Sequence, residues 1–166
     1  MADHSQHLVI WKKKNETVIL KQEEYEGKDM VILENIENCD IFIPFIMNNL
    51  YIKNTYHSRI YSSYVLGTAY IETTSKCIYQ VYCTFLKILK ANECVFHVAS
   101  KMPPMFEECI WLEFGPCMFD YKLRTLHELQ AGFDENWQEL ETWNKVIDNR
   151  WKEPGPSTNF SVMTEE

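Results

Sequence analysis

The sequence predicts an all-β fold, a parallel β-helix in which each coil stacks on the one before it. Two columns of small polar or thiol side chains repeat along the chain, first at a spacing of 19 residues and then of 17: Asn35, Asn54 and Thr73 form one column, and Cys39, Ser58, Cys77 and Cys94 form the other. This period is too short for repeats made of helix pairs. It fits one coil of a β-solenoid, in which equivalent positions pile into ladders.

The residues around these columns support the same fold. Apolar and aromatic side chains such as Ile32, Tyr51 and Tyr70 flank them, and small hydrogen-bonding residues suit the bend of a coil. The alternative is an antiparallel β-sandwich with turns at a similar spacing. The chain contains no Asn-Gly or Asp-Gly hairpin signal and has only five glycines, which favours the solenoid.

Strand-like segments follow one another from the N-terminus to Pro116. Residues 1–15 are polar and basic, and we expect a flexible lead-in there. Residues 16–20 are a short strand candidate, and residues 23–27 indicate a turn or a short helical stretch that ends at a glycine. Three similar β-like segments then come in a row, over residues 71–81, 88–98 and 105–114.

After Pro116 the pattern changes to that of helices. Thr125 and Glu128 form a possible capping box, and Gly132 is placed to end the first helix. A second apolar stripe has spacings of three and four and consists of Trp137, Leu140, Trp143, Ile147 and Trp151. We therefore expect one domain over residues 16–166, with C-terminal helices over about 120–151 and an extended tail that packs back on the coils.

Composition narrows the class of partner. The chain has 166 residues, of which 46% are hydrophobic, with 16 basic and 24 acidic residues and a net charge of −8. An acidic protein is poorly suited to nucleic acid or an anionic membrane, since both are negative surfaces. No apolar stretch approaches the roughly 20 residues of a membrane-spanning helix, and the N-terminus lacks a secretory pattern. We expect a soluble, intracellular protein.

The cysteines and histidines indicate neither a metal nor a disulfide framework. The six cysteines contain no C-x-x-C pair, and the five histidines are scattered, with only His4 and His7 of the N-terminal segment three residues apart. We expect the cysteines to be buried free thiols that pack as small hydrophobic residues. No metal site and no cofactor is predicted.

Six segments, taken in their order and spacing, resemble the C-terminal domain of tubulin-binding cofactor C. They are Glu34-Asn-Ile-Glu-Asn-Cys39, Gly67-Thr-Ala-Tyr-Ile-Glu72, Pro104-Met-Phe-Glu-Glu-Cys109, Leu112-Glu-Phe-Gly-Pro116, Asn136-Trp137 and Asn159-Phe-Ser-Val-Met-Thr-Glu-Glu166. The resemblance covers about residues 16–163 and implies a right-handed parallel β-helix with a C-terminal helical and extended segment. It also implies control of a GTPase, because relatives act on β-tubulin together with other tubulin cofactors, or on a small Arf-like GTPase.

The resemblance assigns a site to the segment Cys83-Thr-Phe-Leu-Lys87. The family carries an arginine finger here, in a Cys-Gln-Gln-(Phe/Leu)-Arg motif, whose cation neutralises charge on the transferred phosphoryl group. In this chain Thr84 and Phe85 replace the glutamines and Lys87 replaces the arginine, so the charge is kept and the planar fork is lost. Glu107 matches an acidic family position near the finger, and a Lys87–Glu107 pair across adjacent coils is expected.

These features imply a cofactor-C-like protein of tubulin folding and heterodimer assembly, which binds tubulin or a small Arf-like GTPase through Thr84, Phe85, Lys87 and Glu107. It is at most a GTPase activator, with no active site of its own. We expect a cytoplasmic, cytoskeleton-associated monomer. Cofactor C carries an N-terminal helical domain, and this sequence, which starts almost at the β-helix, is either a stand-alone short member of the family or a fragment. The alternatives are an active GTPase activator that uses Lys87, a β-helix scaffold with an unrelated partner, and a carbohydrate-active enzyme, which would need clustered carboxylates on one face.

Overall fold

The computed structural model describes residues 6–117 and 144–163. In this part of the chain there are twelve strands and one short helix, α1 Gln22–Tyr25. The strands are β1 His7–Lys14, β2 Thr17–Ile19, β3 Met30–Glu37, β4 Asp40–Ile43, β5 Asn49–Tyr56, β6 Arg59–Ser75, β7 Ile78–Asn92, β8 Val95–Ser100, β9 Met105–Glu107, β10 Leu112–Pro116, β11 Ile147–Asp148 and β12 Phe160–Val162.

The strands form two parallel ladders, because each coil contributes one strand to each side. Face A consists of β1, β3, β5, residues 68–75 of β6, residues 85–92 of β7, β9 and β11. Face B consists of β2, β4, residues 59–65 of β6, residues 78–83 of β7, β8, β10 and β12. The predicted parallel β-helix is confirmed, with about six turns, and the antiparallel sandwich is excluded for the described residues.

The turn from face A to face B contains residues that the sequence repeat predicted for a bend. Asn35, Asn54 and Thr73 adopt left-handed φ angles of 58°, 55° and 56°, and Asn54 Nδ2 donates a hydrogen bond to Asn35 Oδ1 at 3.3 Å. Asparagine tolerates this conformation better than most residues. A second left-handed column lies three residues further on, at Asn38, His57, Lys76 and Glu93. Each coil therefore turns with the same backbone geometry.

The thiol column lies inside the solenoid. Cys39, Ser58, Cys77 and Cys94 are each at most 2% exposed. The Cys39 amide donates to Ser58 Oγ at 3.0 Å, and the Ser58 amide donates to Cys77 Sγ at 3.5 Å. Small side chains are needed here because they satisfy backbone amides of the next coil within a packed interior. The prediction of buried free thiols is confirmed for five cysteines, while Cys117 is half-buried.

We expect the five buried thiols to resist modification in the folded protein. Burial raises the pKa of Cys109 to about 11 and that of Cys83 above its usual range. The hydrogen bond with the Cys94 thiol lowers the pKa of Cys77 to about 6, so Cys77 is protected by its burial alone. Since a reagent must reach the sulfur atom, a disulfide reagent at pH 8 should label at most the half-buried Cys117. All six cysteines should react once denaturant is added. Rapid labelling of more than one thiol without denaturant would contradict this packing.

Aromatic rings stack through the interior along face B. Phe96 lies between Tyr79 and Phe114, with ring centroids 5.1 and 5.3 Å apart, and all three side chains are fully buried. The Tyr79 hydroxyl is hydrogen-bonded to Thr74 Oγ1 at 2.6 Å, which satisfies the one polar atom of the stack. These rings join face B to the inner side of face A.

Most of the predicted flexible lead-in, residues 1–15, is a strand over residues 7–14, and residues 1–5 lie outside the described part of the chain. His7–Lys14 forms β1, the first strand of face A, and pairs in parallel with β3. Leu8 and Ile10 pack against the core, and this weak apolar alternation was hidden by the run of lysines that follows it. The strand forms because β3 would otherwise leave its hydrogen-bonding edge open.

The second predicted helix is wrong at its C-terminal end, where residues 147–148 form a strand. Residues 118–143, which include the possible capping box and the first part of the tryptophan stripe, lie outside the described residues. Ile147 does not continue a helix: it belongs to β11, which pairs with β9, and Trp151 lies beyond that strand. The extended tail is confirmed, because β12 pairs with β10 and Phe160 contacts Phe106 and Phe114 edge-on.

Candidate functional site

The Cys83–Lys87 segment crosses from face B to face A, and we call it the Cys83 corner. Val65 is in register with Cys83, and Thr68 is in register with Phe85. Two residues separate the first pair along the chain and only one separates the second, so the Cys83 corner is one residue shorter than the corner of the preceding coil. Hydrogen bonds hold it from both sides: Thr84 Oγ1 donates to the Leu66 carbonyl at 2.8 Å, and the Met102 amide donates to the Thr84 carbonyl at 3.0 Å. The corner is therefore held by its neighbours on both sides.

The corner divides its side chains between core and solvent. Cys83 and Leu86 are buried, at 0% and 2% exposure, and anchor the segment. Phe85 projects outward and is 48% exposed. Leu66 and Met102, on the coils before and after, are 42% and 47% exposed. Together Leu66, Phe85 and Met102 form what we call the corner patch.

Leu66 and Met102 were not predicted as site residues. Each lies 18 residues from Thr84, on the preceding and the following coil, so the period of the repeat already places them at the same corner. Exposed apolar residues grouped on a rigid element are typical of an interaction site, whereas single ones are ordinary. The sequence could not show this grouping, because the spacing does not tell which corner residues point outward.

Lys87 lies on the outer side of face A, in register with Tyr70 on one coil and Met105 on the next. It is exposed and, within residues 6–117 and 144–163, it forms no ion pair. The ammonium group is thus available to an anionic group on a partner. It lies two residues from Phe85 on the same side of the strand, next to the corner patch.

The expected Lys87–Glu107 pair is not formed. Glu107 is in register with Leu89, and its carboxylate faces Arg150 Nε at 3.6 Å and accepts a hydrogen bond from Asn149 Nδ2 at 3.3 Å. Arg150 Nη1 also contacts Glu108 Oε1 at 3.0 Å. Arg150 reaches these carboxylates because β11 adds a further strand beside β9. Glu107 is therefore bound to the end of the solenoid, while Lys87 has no ion-pair partner among the described residues.

The described residues place the exposed corner patch beside Lys87. They contain no group of three or more side chains arranged to hold a metal ion. Nor does any helix in the described ranges have the length and apolar character needed to cross a bilayer. A rigid apolar patch beside a free cation can bind a protein surface and place a positive charge against it.

Comparison with known proteins identifies relatives of this chain and of its fold. The family model of tubulin binding cofactor C matches residues 28–148. Tubulin-folding cofactor C of Arabidopsis thaliana is 24% identical over 156 residues, which cover 93% of this chain and 44% of that protein. The solved structure of tubulin binding cofactor C from Leishmania major matches with a TM-score of 0.68 at 21% identity, over 77% of this chain and 85% of that one.

The family match spans most of the chain and includes every coil from β3 to β11, with the Cys83 corner inside it. The chain spans less than half the length of the Arabidopsis relative, so the match concerns a domain of that protein. The likeness to the Leishmania structure agrees with the parallel β-helix. This chain belongs to the tubulin binding cofactor C family.

Proposed function

We propose that this chain serves tubulin folding and heterodimer assembly as a binding domain, which contacts tubulin or a small Arf-like GTPase through the Cys83 corner. The observation that carries the proposal is the corner patch beside Lys87, which forms no ion pair within the described part of the chain, at the position where the family resemblance expects a finger. Membership of the tubulin binding cofactor C family and the similarity to tubulin-folding cofactor C of Arabidopsis thaliana support tubulin as the partner. This role belongs to the cytosol, where tubulin is folded.

The chemistry of the corner favours binding over strong catalysis. An arginine finger contributes roughly 10³–10⁵ in rate because its planar guanidinium spans the transferred phosphoryl oxygens. Lysine offers only a point charge, and neither Thr84 nor Phe85 has the amide of the glutamines it replaces. Phe85 suits an apolar contact instead, since a partly exposed aromatic ring is a common anchor of protein interfaces.

A binding experiment with two matched phenylalanines tests the proposal. The purified chain is titrated with αβ-tubulin and, separately, with GTP-loaded Arf-like GTPases. Phe85→Ala is expected to weaken binding about tenfold, by the loss of an interface anchor. Phe42→Ala removes an outward ring of similar exposure, 38%, from face B and is expected to leave the affinity unchanged. If neither partner binds, or if the two variants behave alike, the proposal is wrong.

The second candidate function is GTPase activation by Lys87, which is favoured because its side chain is exposed and has no ion-pair partner among residues 6–117 and 144–163. Phosphate release from the bound GTPase should then rise above its intrinsic rate and fall back to it with Lys87→Ala. Lys76→Ala removes an exposed lysine from a bend and is the matched control. If wild type has no effect on phosphate release and Lys87→Arg produces one, the corner docks correctly but lacks the finger. A wild-type rate equal to the intrinsic rate contradicts this second function.

A further inference from the structure

The first coil of the solenoid has an open outer edge. Within residues 6–117 and 144–163, β1 pairs with β3 and β2 pairs with β4, and no strand pairs with the opposite edge of either. At eight residues, β1 presents the longest such edge in this part of the chain. An edge of this kind is a template for a further strand. We call β1, β2 and the residues 20–29 that join β2 to β3 the open end.

The hydrophobic core is uncovered at the open end. Leu8, Ile10 and Val18 pack against the core, yet each is only partly buried. Their register partners on the second coil are fully buried, namely Val31, Leu33 and Ile41. The difference arises because the first coil covers the second, whereas no described coil covers the first. The terminal coil of a solenoid needs a cap over such a surface.

One side of the open end, where β1 bends toward β2, is basic. Lys12, Lys13 and Lys14 lie there, and Lys12 adopts a left-handed φ of 54°, as do the equivalent bends of later coils. Lys14 is paired with Glu37 at 3.7 Å, and Glu16 follows the bend. Three lysines against two glutamates leave this side with a charge of +1. Within the described residues Lys12 and Lys13 form no ion pair.

The opposite side of the open end is acidic. Residues 20–29 contain four carboxylates and two lysines, which leaves a charge of −2. Glu23 and Glu24 on α1 are exposed and form no ion pair with any described residue. The Asp29 amide donates to the Gln6 carbonyl at 2.7 Å, so this acidic corner lies at the start of β1, as far along the strand from the lysines as β1 allows.

A twofold axis through the middle of β1, perpendicular to face A, makes these two sides complementary. It sets two copies end to end with their β1 strands antiparallel, so that the basic bend of each copy faces the acidic corner of the other. Such an interface is isologous, and each contact forms twice. Residues 7–11 pair without bringing lysine against lysine, because the lysines lie beyond them. Leu8 and Ile10 stay on the inner side of both copies, since side chains opposite each other share a face.

We propose that the open end is a self-association surface, at which two copies of this chain form a twofold dimer through antiparallel β1 strands. Pairing gives the backbone groups of the β1 edge hydrogen-bond partners and joins the two uncovered ends of the core. It also sets Lys12 and Lys13 of one copy against Glu23 and Glu24 of the other. The dimer replaces the monomer expected from the sequence, and it does not depend on the Cys83 corner.

Sedimentation velocity of the full chain between about 1 and 100 µM tests the association. The expected result is a reversible dimer with twice the 19.8 kDa mass of one chain. Hydrogen exchange at both concentrations locates the contact: amides of residues 7–11 should exchange more slowly at the higher one, and those of β12, the edge strand at the other end, should not. A monomer throughout, or a dimer that leaves exchange in β1 unchanged or also protects β12, would overturn the proposal.

Charge variants test the twofold arrangement. Lys12→Glu/Lys13→Glu should weaken the dimer about tenfold, and Glu23→Lys/Glu24→Lys should weaken it by a similar factor. The four substitutions together exchange the two signs, keep the net charge at −8 and should restore the affinity of wild type. A combined variant that unfolds at the wild-type temperature and does not regain affinity sinks the idea.

Lys76→Glu/Lys90→Glu is the matched control for the lysine variant. Both lysines are exposed and lie at left-handed bends of later coils, with φ angles of 54° and 56°, so the change in charge and backbone setting is similar. The control should dimerise as wild type does. If the combined variant is not folded, the decision rests on the lysine variant: equal affinity of the lysine variant and the control contradicts the proposal.

Discussion

Replacement of Phe96 with alanine is expected to lower the free energy of unfolding by about 3–5 kcal/mol. Phe96 is fully buried and is the middle ring of the stack formed with Tyr79 and Phe114. Its removal opens a cavity between two rings that cannot close it, since each ring is fixed to its own coil by the strand ladder. Denaturant unfolding followed by circular dichroism measures the change.

Phe42→Ala is the control for Phe96→Ala. Phe42 also stacks on an aromatic ring of the next coil, but it lies on the outer surface and is 38% exposed. Its loss should cost about 1 kcal/mol or less, as for other cross-strand pairs. A loss below about 1 kcal/mol for Phe96→Ala as well would mean that the interior stack does not hold the coils together.

Replacement of Gly67 with valine is expected to destabilise the fold by about 1–3 kcal/mol and to weaken binding at the Cys83 corner. A Cβ at position 67 would lie 2.7 Å from Asn49 Oδ1 and 2.9 Å from the Asn48 carbonyl oxygen. The Asn49 side chain can rotate away, but the backbone carbonyl cannot, because it accepts the Gly67 amide at 2.8 Å. The corner must therefore open.

The consequence for binding follows from the next coil. Thr84 is held to the Leu66 carbonyl, so a shift at Gly67 displaces the Cys83 corner with it. Thr68→Val is the control. Thr68 follows Gly67 and is partly exposed, and valine keeps both the backbone amide and nearly the same side-chain shape as threonine. We expect thermal unfolding and partner affinity to change for Gly67→Val and to stay near wild type for Thr68→Val. Equal affinities of the two variants would show that corner geometry does not govern binding.

The coils could be predicted from the sequence because a solenoid repeats one local geometry. Asn35 and Asn54 lie at the same left-handed bend, the first exposed and the second partly exposed, and Cys39 and Ser58 are buried at the same inward position. In a parallel stack each coil is the template for the next, so equivalent positions select the same residue type. That constraint leaves a visible period in the chain.

The two ends of the solenoid could not be predicted in this way. At each end a strand forms because a neighbour presents an open hydrogen-bonding edge, whatever the local pattern indicates. Ile147 shows this most clearly: its spacing from the tryptophans suits a helix, yet its amide donates to the Pro104 carbonyl at 2.9 Å. The predicted Lys87–Glu107 pair was wrong for the same reason, because the strand that brings Arg150 to Glu107 was not predicted.

The residues themselves established the period and the small inward column, and the family resemblance predicted Thr84, Phe85 and Lys87 as site residues. The folded chain added which of these face solvent and what lies beside them, namely Leu66 and Met102 around Phe85, and Tyr70 next to Lys87. The physical reason is that contacts along a coil depend on local spacing, whereas contacts between coils depend on register. A corner shorter by one residue is enough to change which side chains meet there.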